Sequence, residues 1–158
     1  MAAGKENNPT KVERTSDRDV VVTRIFDAPA RLVFKAWTTP ALFQRWWIPK
    51  SFPVTLLSYT ADVRVGGGYR VELEHGGRKM AFFGTYLEVV PDTRLVWTNE
   101  ESEDGAVTTV TLAEKDGKTL LTMHERYPSR EALDRSAGAT DGLPETFAQL
   151  DEILTALA

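Results

Sequence analysis

The sequence predicts an α+β domain in which a curved antiparallel sheet wraps around a C-terminal helix. Three observations carry that expectation. Between Val54 and Tyr127, apolar and polar residues alternate along segments separated by short turn signals. After Pro128 the period lengthens from two to about 3.6 residues. The 158 residues are also enough to bury roughly two-thirds of the unfolded surface in one domain without a covalent staple.

Residues 1–18 are polar, charged and aperiodic, and read as a mobile tail ahead of a domain over 19–158. DVVVTRIFDA, from Asp19, is β-branched and reads as a strand. Pro29 stops it, and Asp27 is placed to cap the helix after it. Leu32, Val33, Ala36 and Trp37 then fall at helical spacing. Pro40 ends this helix and opens a second, with Leu42, Phe43, Trp46 and Trp47, which stops at Pro49. Six strands come next. Tyr69, Val71 and Leu73 alternate with Arg70, Glu72 and Glu74, the pattern of a sheet with one wet face. Gly76-Gly77, Pro91-Asp92, Asp104-Gly105 and Asp116-Gly117 mark the turns of an antiparallel meander. Ser129 is a good N-cap for REALDRSAG. Leu143, Phe147, Leu150, Leu154 and Leu157 share one face of a final helix, with a break expected around Gly138, Gly142 and Pro144. The order is strand, two short helices, six strands, long helix. A seven-stranded sheet with one apolar face needs a covering layer, and the last helix supplies it.

Composition excludes several function classes. There are no cysteines, so disulfides, thiolate metal sites and a cysteine nucleophile are absent. His75 and His124 are the only imidazoles; HExxH and EF-hand spacings do not occur, and neither a metal nor a cofactor is expected. The net charge of -4 is spread without a basic stripe, which argues against nucleic acid. No apolar run approaches a membrane span, and the N-terminus lacks the apolar core of a signal peptide, so the cytoplasm is the simplest location.

Several segments together carry a resemblance: RIFDAPARLVFKAWTTPALFQRWWIP, DVRVGGGYRVEL, GTYLEVVPDTRLVWT, and the tail TLLTMHERYPS with DGLPETFAQLDEIL. The chain resembles the SRPBCC superfamily, the helix-grip fold of START domains and the major birch-pollen allergen. It is most similar to the branch named after the activator of the heat-shock chaperone ATPase. The likeness runs over about residues 19–157 and departs at Gly142 and Pro144, where the family's last helix runs more evenly. It implies a cavity between sheet and C-terminal helix that holds a small hydrophobic molecule, lipid or polyketide-like. Members also include cyclases, dehydratases and co-chaperone domains, so fold underdetermines activity. A cavity enzyme and a chaperone-regulating interaction domain are the rival readings, with the chaperone partner ranked last and a homodimer left open.

The candidate ligand-binding residues are Trp46, Tyr59, Arg64, Tyr69, Phe83, Trp97, Met123, Glu125, Phe147 and Leu150. Trp46 and Trp47 are adjacent and cannot face the same way, so one of them is expected at the cavity, while Trp37 is read as a packing residue. Arg64 and Asp62 read first as a surface ion pair beside glycines that allow a bend. Glu125 shares a strand face with Leu121 and Met123. An inward face would bury it and raise its pKa, but its place near a strand end favours a solvated carboxylate. No nucleophile has a recognisable activating partner and GxSxG is absent, so there is no positive sign of catalysis. The glycine-containing stretch 130–142 carries few apolar residues and is expected to act as a lid.

Overall fold

The computed structural model describes residues 8–158. The elements are β1 (Lys11–Arg14), β2 (Asp19–Phe26), α1 (Ala30–Thr38), α2 (Pro40–Trp46), β3 (Thr55–Ala61), β4 (Gly68–His75), β5 (Arg78–Val90), β6 (Arg94–Thr98), β7 (Val107–Lys115), β8 (Lys118–Arg126), α3 (Arg130–Arg135) and α4 (Leu143–Leu157). One antiparallel sheet runs in the order β1-β2-β8-β7-β6-β5-β4-β3. This is the helix-grip architecture, with eight strands rather than the seven expected.

The extra strand comes from the segment read as tail. Lys11–Arg14 is fully exposed and pairs with β2 from Lys11 opposite Thr23 to Arg14 opposite Val20. Nothing in KVER signals burial, because an edge strand can be held by backbone hydrogen bonds alone. The first seven residues of that segment lie outside the described residues.

The meander appears with bulges between Leu56 and Ser58 and between Tyr86 and Glu88, which increase twist where the sheet curls. The predicted cap of α1 is replaced by a tertiary one. Asp27 makes no bond to the helix end; its carboxylate instead accepts from Asn8 Nδ2. The Ala30 N–H donates to Glu114 Oε1, 84 residues away, at 2.8 Å. Ser129 caps α3 as expected, accepting from the Ala132 N–H at 3.1 Å. The C-terminal stretch breaks between α3 and α4, with Gly138 at φ +89° and Pro144 in the first turn of α4. The stretch expected to form a lid is anchored at its start by buried Ala132 and Leu133, and by Arg14–Asp134 and Arg135–Asp104 ion pairs at 2.9 and 2.7 Å.

The core lies between α4 and the β2-β8-β7 part of the sheet, where Val22, Leu121, Phe147 and Leu150 are fully buried. Phe147 meets Phe26 edge to face at 5.5 Å. Arg24 is also on this inner face; its guanidinium pairs with Asp151 of α4 through contacts of 2.8 and 2.5 Å and lies 4.7 Å from the centre of the Phe26 ring. Taking two charges out of water costs several kcal/mol per ion, and close pairing offsets that cost.

Candidate binding cavity

The other half of the sheet is roofed by α1 and α2 instead of α4. Alternation brings Tyr69 and Val71 of β4, Phe82 and Tyr86 of β5, and Leu95 and Trp97 of β6 to the inner face, with Tyr59 from β3 and Asn99 just beyond β6. Trp37 of α1, Phe43 of α2 and Trp47 at the end of α2 close the space from above. Together they bound a cavity of about 180 Å³. Its walls are a continuous aromatic cluster. Phe43 stacks on Trp47 at 4.9 Å and on Tyr59 at 5.2 Å, while Trp37 approaches Trp47 at 5.6 Å and Trp97 at 5.9 Å. Such pairs add about 0.5–1.5 kcal/mol each beyond area burial, which lets two short helices hold their place over an open space. Gly84, on the same face, makes room for this packing. A Cβ there would lie 1.9 Å from the Thr98 carbonyl oxygen and 3.0 Å from Tyr69 Oη.

One end of the cavity is polar. Tyr69 Oη donates toward the Thr98 carbonyl and Asn99 Oδ1, each at 2.9 Å. Asn99 Nδ2 donates to the Ala106 carbonyl at 2.7 Å and to Thr108 Oγ1 at 3.0 Å. Thr108 Oγ1 donates to Glu125 Oε2 at 2.7 Å. Burial pushes the Tyr59, Tyr69 and Tyr86 phenols above their ordinary range, so all three stay neutral. Burial likewise raises the Glu125 carboxyl, against the opposing hydrogen bond from Thr108. Among the described residues, no lysine, arginine or carboxylate lines the cavity wall.

A second, more open groove of about 460 Å³ shares Trp47, Val71 and Phe82 with the cavity and extends past Leu73 and Met80 to Leu143 at the start of α4.

The sequence-derived residues divide sharply. Tyr59, Tyr69 and Trp97 line the cavity. Trp46 does not: it is fully buried, its indole N–H spent on the Ala36 carbonyl at 3.0 Å, and Trp47 is the residue at the wall. Phe83 points to the outer face, with the Arg70 guanidinium 5.4 Å from its ring centre, while its neighbour Phe82 takes the inner position. Counting in twos from Met80 through Phe82 and Gly84 to Tyr86 would have found this, because these four share the parity that faces Leu73, Val71 and Tyr69. Met123, Phe147 and Leu150 are core residues with exposures of 3%, 0% and 0%. Arg64 is exposed and paired with Asp62 at 2.7 Å, outside the cavity. Glu125 faces inward, not into solvent, because its register partner is Thr108 on the inner face of β7. It stands behind Thr108 and Asn99 instead of at the wall. His124, on the opposite face, meets Asp19 at 2.6 Å. Trp37, read as packing alone, both packs and lines the cavity. Phe43, Tyr86, Leu95 and Asn99 were not among the candidates, since only tertiary pairing shows where their side chains converge.

Comparison with known proteins adds lineage to geometry. The family model described as Activator of Hsp90 ATPase homolog 1-like protein matches residues 27–155. The chain belongs to this family. It is thereby a member of the SRPBCC superfamily. A crystal structure from Rhodobacter sphaeroides is similar at 24% identity and a TM-score of 0.85, covering 95% of this chain and 100% of that one. One from Nitrosomonas europaea is similar at 22% identity and a TM-score of 0.81, covering 92% and 99%. One from Mycobacterium smegmatis is 25% identical with a TM-score of 0.79, covering 95% and 100%. These likenesses speak for the fold. No curated protein matches the chain. Among the described residues, no helix is long and apolar enough to cross a membrane.

Proposed function

We propose that the protein binds a small, neutral, ring-sized hydrophobic molecule in the aromatic cavity under α1 and α2. The observation that carries this reading is the cavity itself: about 180 Å³, walled by eight aromatic side chains and, among the described residues, by no charged ones. Drug-sized ligands occupy pockets of roughly 300–1,000 Å³, whereas an apolar cavity of about 150 Å³ takes benzene. A single ring therefore fits the chamber, and a lipid or polyketide would need the outer groove as well. The expected position against α4 gives way to one against α1 and α2, because Phe147 and Leu150 already fill the space under the last helix.

The cyclase or hydrolase reading ranks second. It is favoured by the half-buried Glu125 carboxyl, but that group stands behind Thr108 and Asn99 and is not itself at the cavity wall. The chaperone-regulating reading rests on the exposed apolar residues Phe52, Met80 and Phe82 around the outer groove, and ranks third.

Native mass spectrometry of protein purified from its own source should show a small molecule carried with it. Titration with toluene should perturb the fluorescence of Trp37, Trp47 and Trp97, three of the four tryptophans. Absence of both a copurified species and any response to toluene would discard the binding reading.

A further inference from the structure

The hydrogen bonds at the polar end of the cavity run in one direction. The Asn99 amide is oriented by the Ala106 carbonyl, which can only accept, so Nδ2 faces Ala106 and Thr108 while Oδ1 faces Tyr69. Tyr69 has one hydroxyl proton and two protein acceptors for it, Thr98 O and Asn99 Oδ1, each at 2.9 Å. Thr108 receives from Asn99 and passes its own proton toward Glu125 Oε2. Every donor in the chain Tyr69–Asn99–Thr108 is thus committed to protein. What remains for a ligand at this end is acceptor capacity: the lone pairs of Tyr69 Oη and the second lone pair of Asn99 Oδ1, both on cavity-lining residues.

Resting on the binding reading above, we propose that Tyr69 Oη and Asn99 Oδ1 form an acceptor site that selects ring-sized ligands bearing a hydroxyl or N–H donor, a neutral phenol or cyclic alcohol being the class that fits. A ligand carbonyl at the same place would set its lone pairs against those of the protein. A buried polar site rejects an analogue lacking the matching group far more strongly than it rejects a missing methylene. The chain behind Tyr69 strengthens the selection, since each donation polarises the next. Thr108 and Glu125 are positioning residues here: they hold Asn99 in the orientation that turns Oδ1 toward Tyr69. The Tyr59 and Tyr86 hydroxyls can each donate and accept, so they do not discriminate. The Trp37 indole N–H has no partner among the described residues and has almost no accessible surface of its own.

The test compares three probes of similar size by calorimetry: toluene, p-cresol and p-tolualdehyde. Toluene reports on the cavity; the other two differ in offering a donor or only an acceptor. p-Cresol should bind at least about tenfold more tightly than p-tolualdehyde, the scale of one well-made buried hydrogen bond. In Tyr69→Phe that ratio should fall toward one while toluene still binds. In Thr108→Val, a change outside the cavity wall, the ratio should fall part of the way, which loss of packing alone would not do because it would weaken all three probes together. If Tyr69→Phe does not fold, the wild-type ratio and Thr108→Val decide. Equal affinities for p-cresol and p-tolualdehyde in the wild type overturn the acceptor site and leave the cavity reading standing. Failure of all three probes to bind overturns both.

Discussion

The two halves of the sheet solve the same problem differently. Under α4, strands β2, β8 and β7 present Val22, Leu121, Met123 and Val110, all at most 3% exposed, and Phe147 and Leu150 from the helix fill what remains. Under α1 and α2, strands β4 and β5 present Tyr69, Val71, Phe82 and Met80, the last two 40% and 37% exposed, and the covering helices are only nine and seven residues long. A 15-residue helix can close over a sheet by interdigitating aliphatic side chains. Two short helices joined at Pro40 cannot, so large rings span the gap and leave a void between them. The dense half holds the fold, and the open half is where a ligand can sit. On the proposed reading, stability and binding fall to different residues of one sheet.

If that division is right, substitutions should separate cleanly. The largest effect belongs to Phe147→Ala, which empties the dense half and should cost about 4–5 kcal/mol in urea unfolding, the upper part of the range for a fully buried ring. Asp151→Ala should cost about 3 kcal/mol, because it leaves the Arg24 guanidinium buried and unpaired. Its effect should exceed that of Asp62→Ala, whose partner Arg64 is exposed and whose loss should be hard to measure. Phe82→Ala removes a ring of the same size as Phe147 from the open half, yet should cost only about 1 kcal/mol, since the ring already borders solvent and open space. The comparison breaks if Phe82→Ala and Phe147→Ala prove equally costly.

The smallest effect is one of sign. Burial raises the Glu125 carboxyl, so the folded chain gives up this proton less readily than the unfolded chain does. Between the ordinary glutamate value and the raised one, the folded state binds more protons, and stability therefore falls as pH rises through that window. Glu125→Gln keeps an acceptor for Thr108 and removes the titration. Thermal melts should show the variant gaining on the wild type as pH climbs above the ordinary glutamate range, with the difference vanishing in acid. A difference independent of pH would mean that Glu125 is not held away from water.

Much of this was legible beforehand, and the residues show why. The meander, the Ser129 cap, the helix break before Pro144 and the apolar stripe from Leu143 to Leu154 all depend on neighbours within a few positions, where periodicity and local hydrogen bonding decide. The candidate site was legible only in part. Tyr59, Tyr69 and Trp97, expected from strand alternation, do line the cavity, whereas at Trp46 and Phe83 it is the neighbours Trp47 and Phe82 that line it. In a strand a one-residue shift moves a side chain to the opposite face, as at Phe83, whereas at the helical Trp46 the same shift turns it by about 100°.

By itself, the amino-acid order determined the alternation of Tyr69 to Glu74, the absence of thiol chemistry and the helical face that packs on the sheet, because each depends on local spacing or composition. Tertiary structure alone decided that Lys11–Arg14 would become an edge strand, and that Glu114 rather than Asp27 would cap α1. It also decided that Glu125 would turn inward behind Thr108, and that the cavity would open under α1 and α2 rather than under α4. Each of these turns on register between segments far apart in the chain. Register is set by which strands pair and by how fully the helix above them fills the space, and neither quantity is carried by any short stretch of sequence.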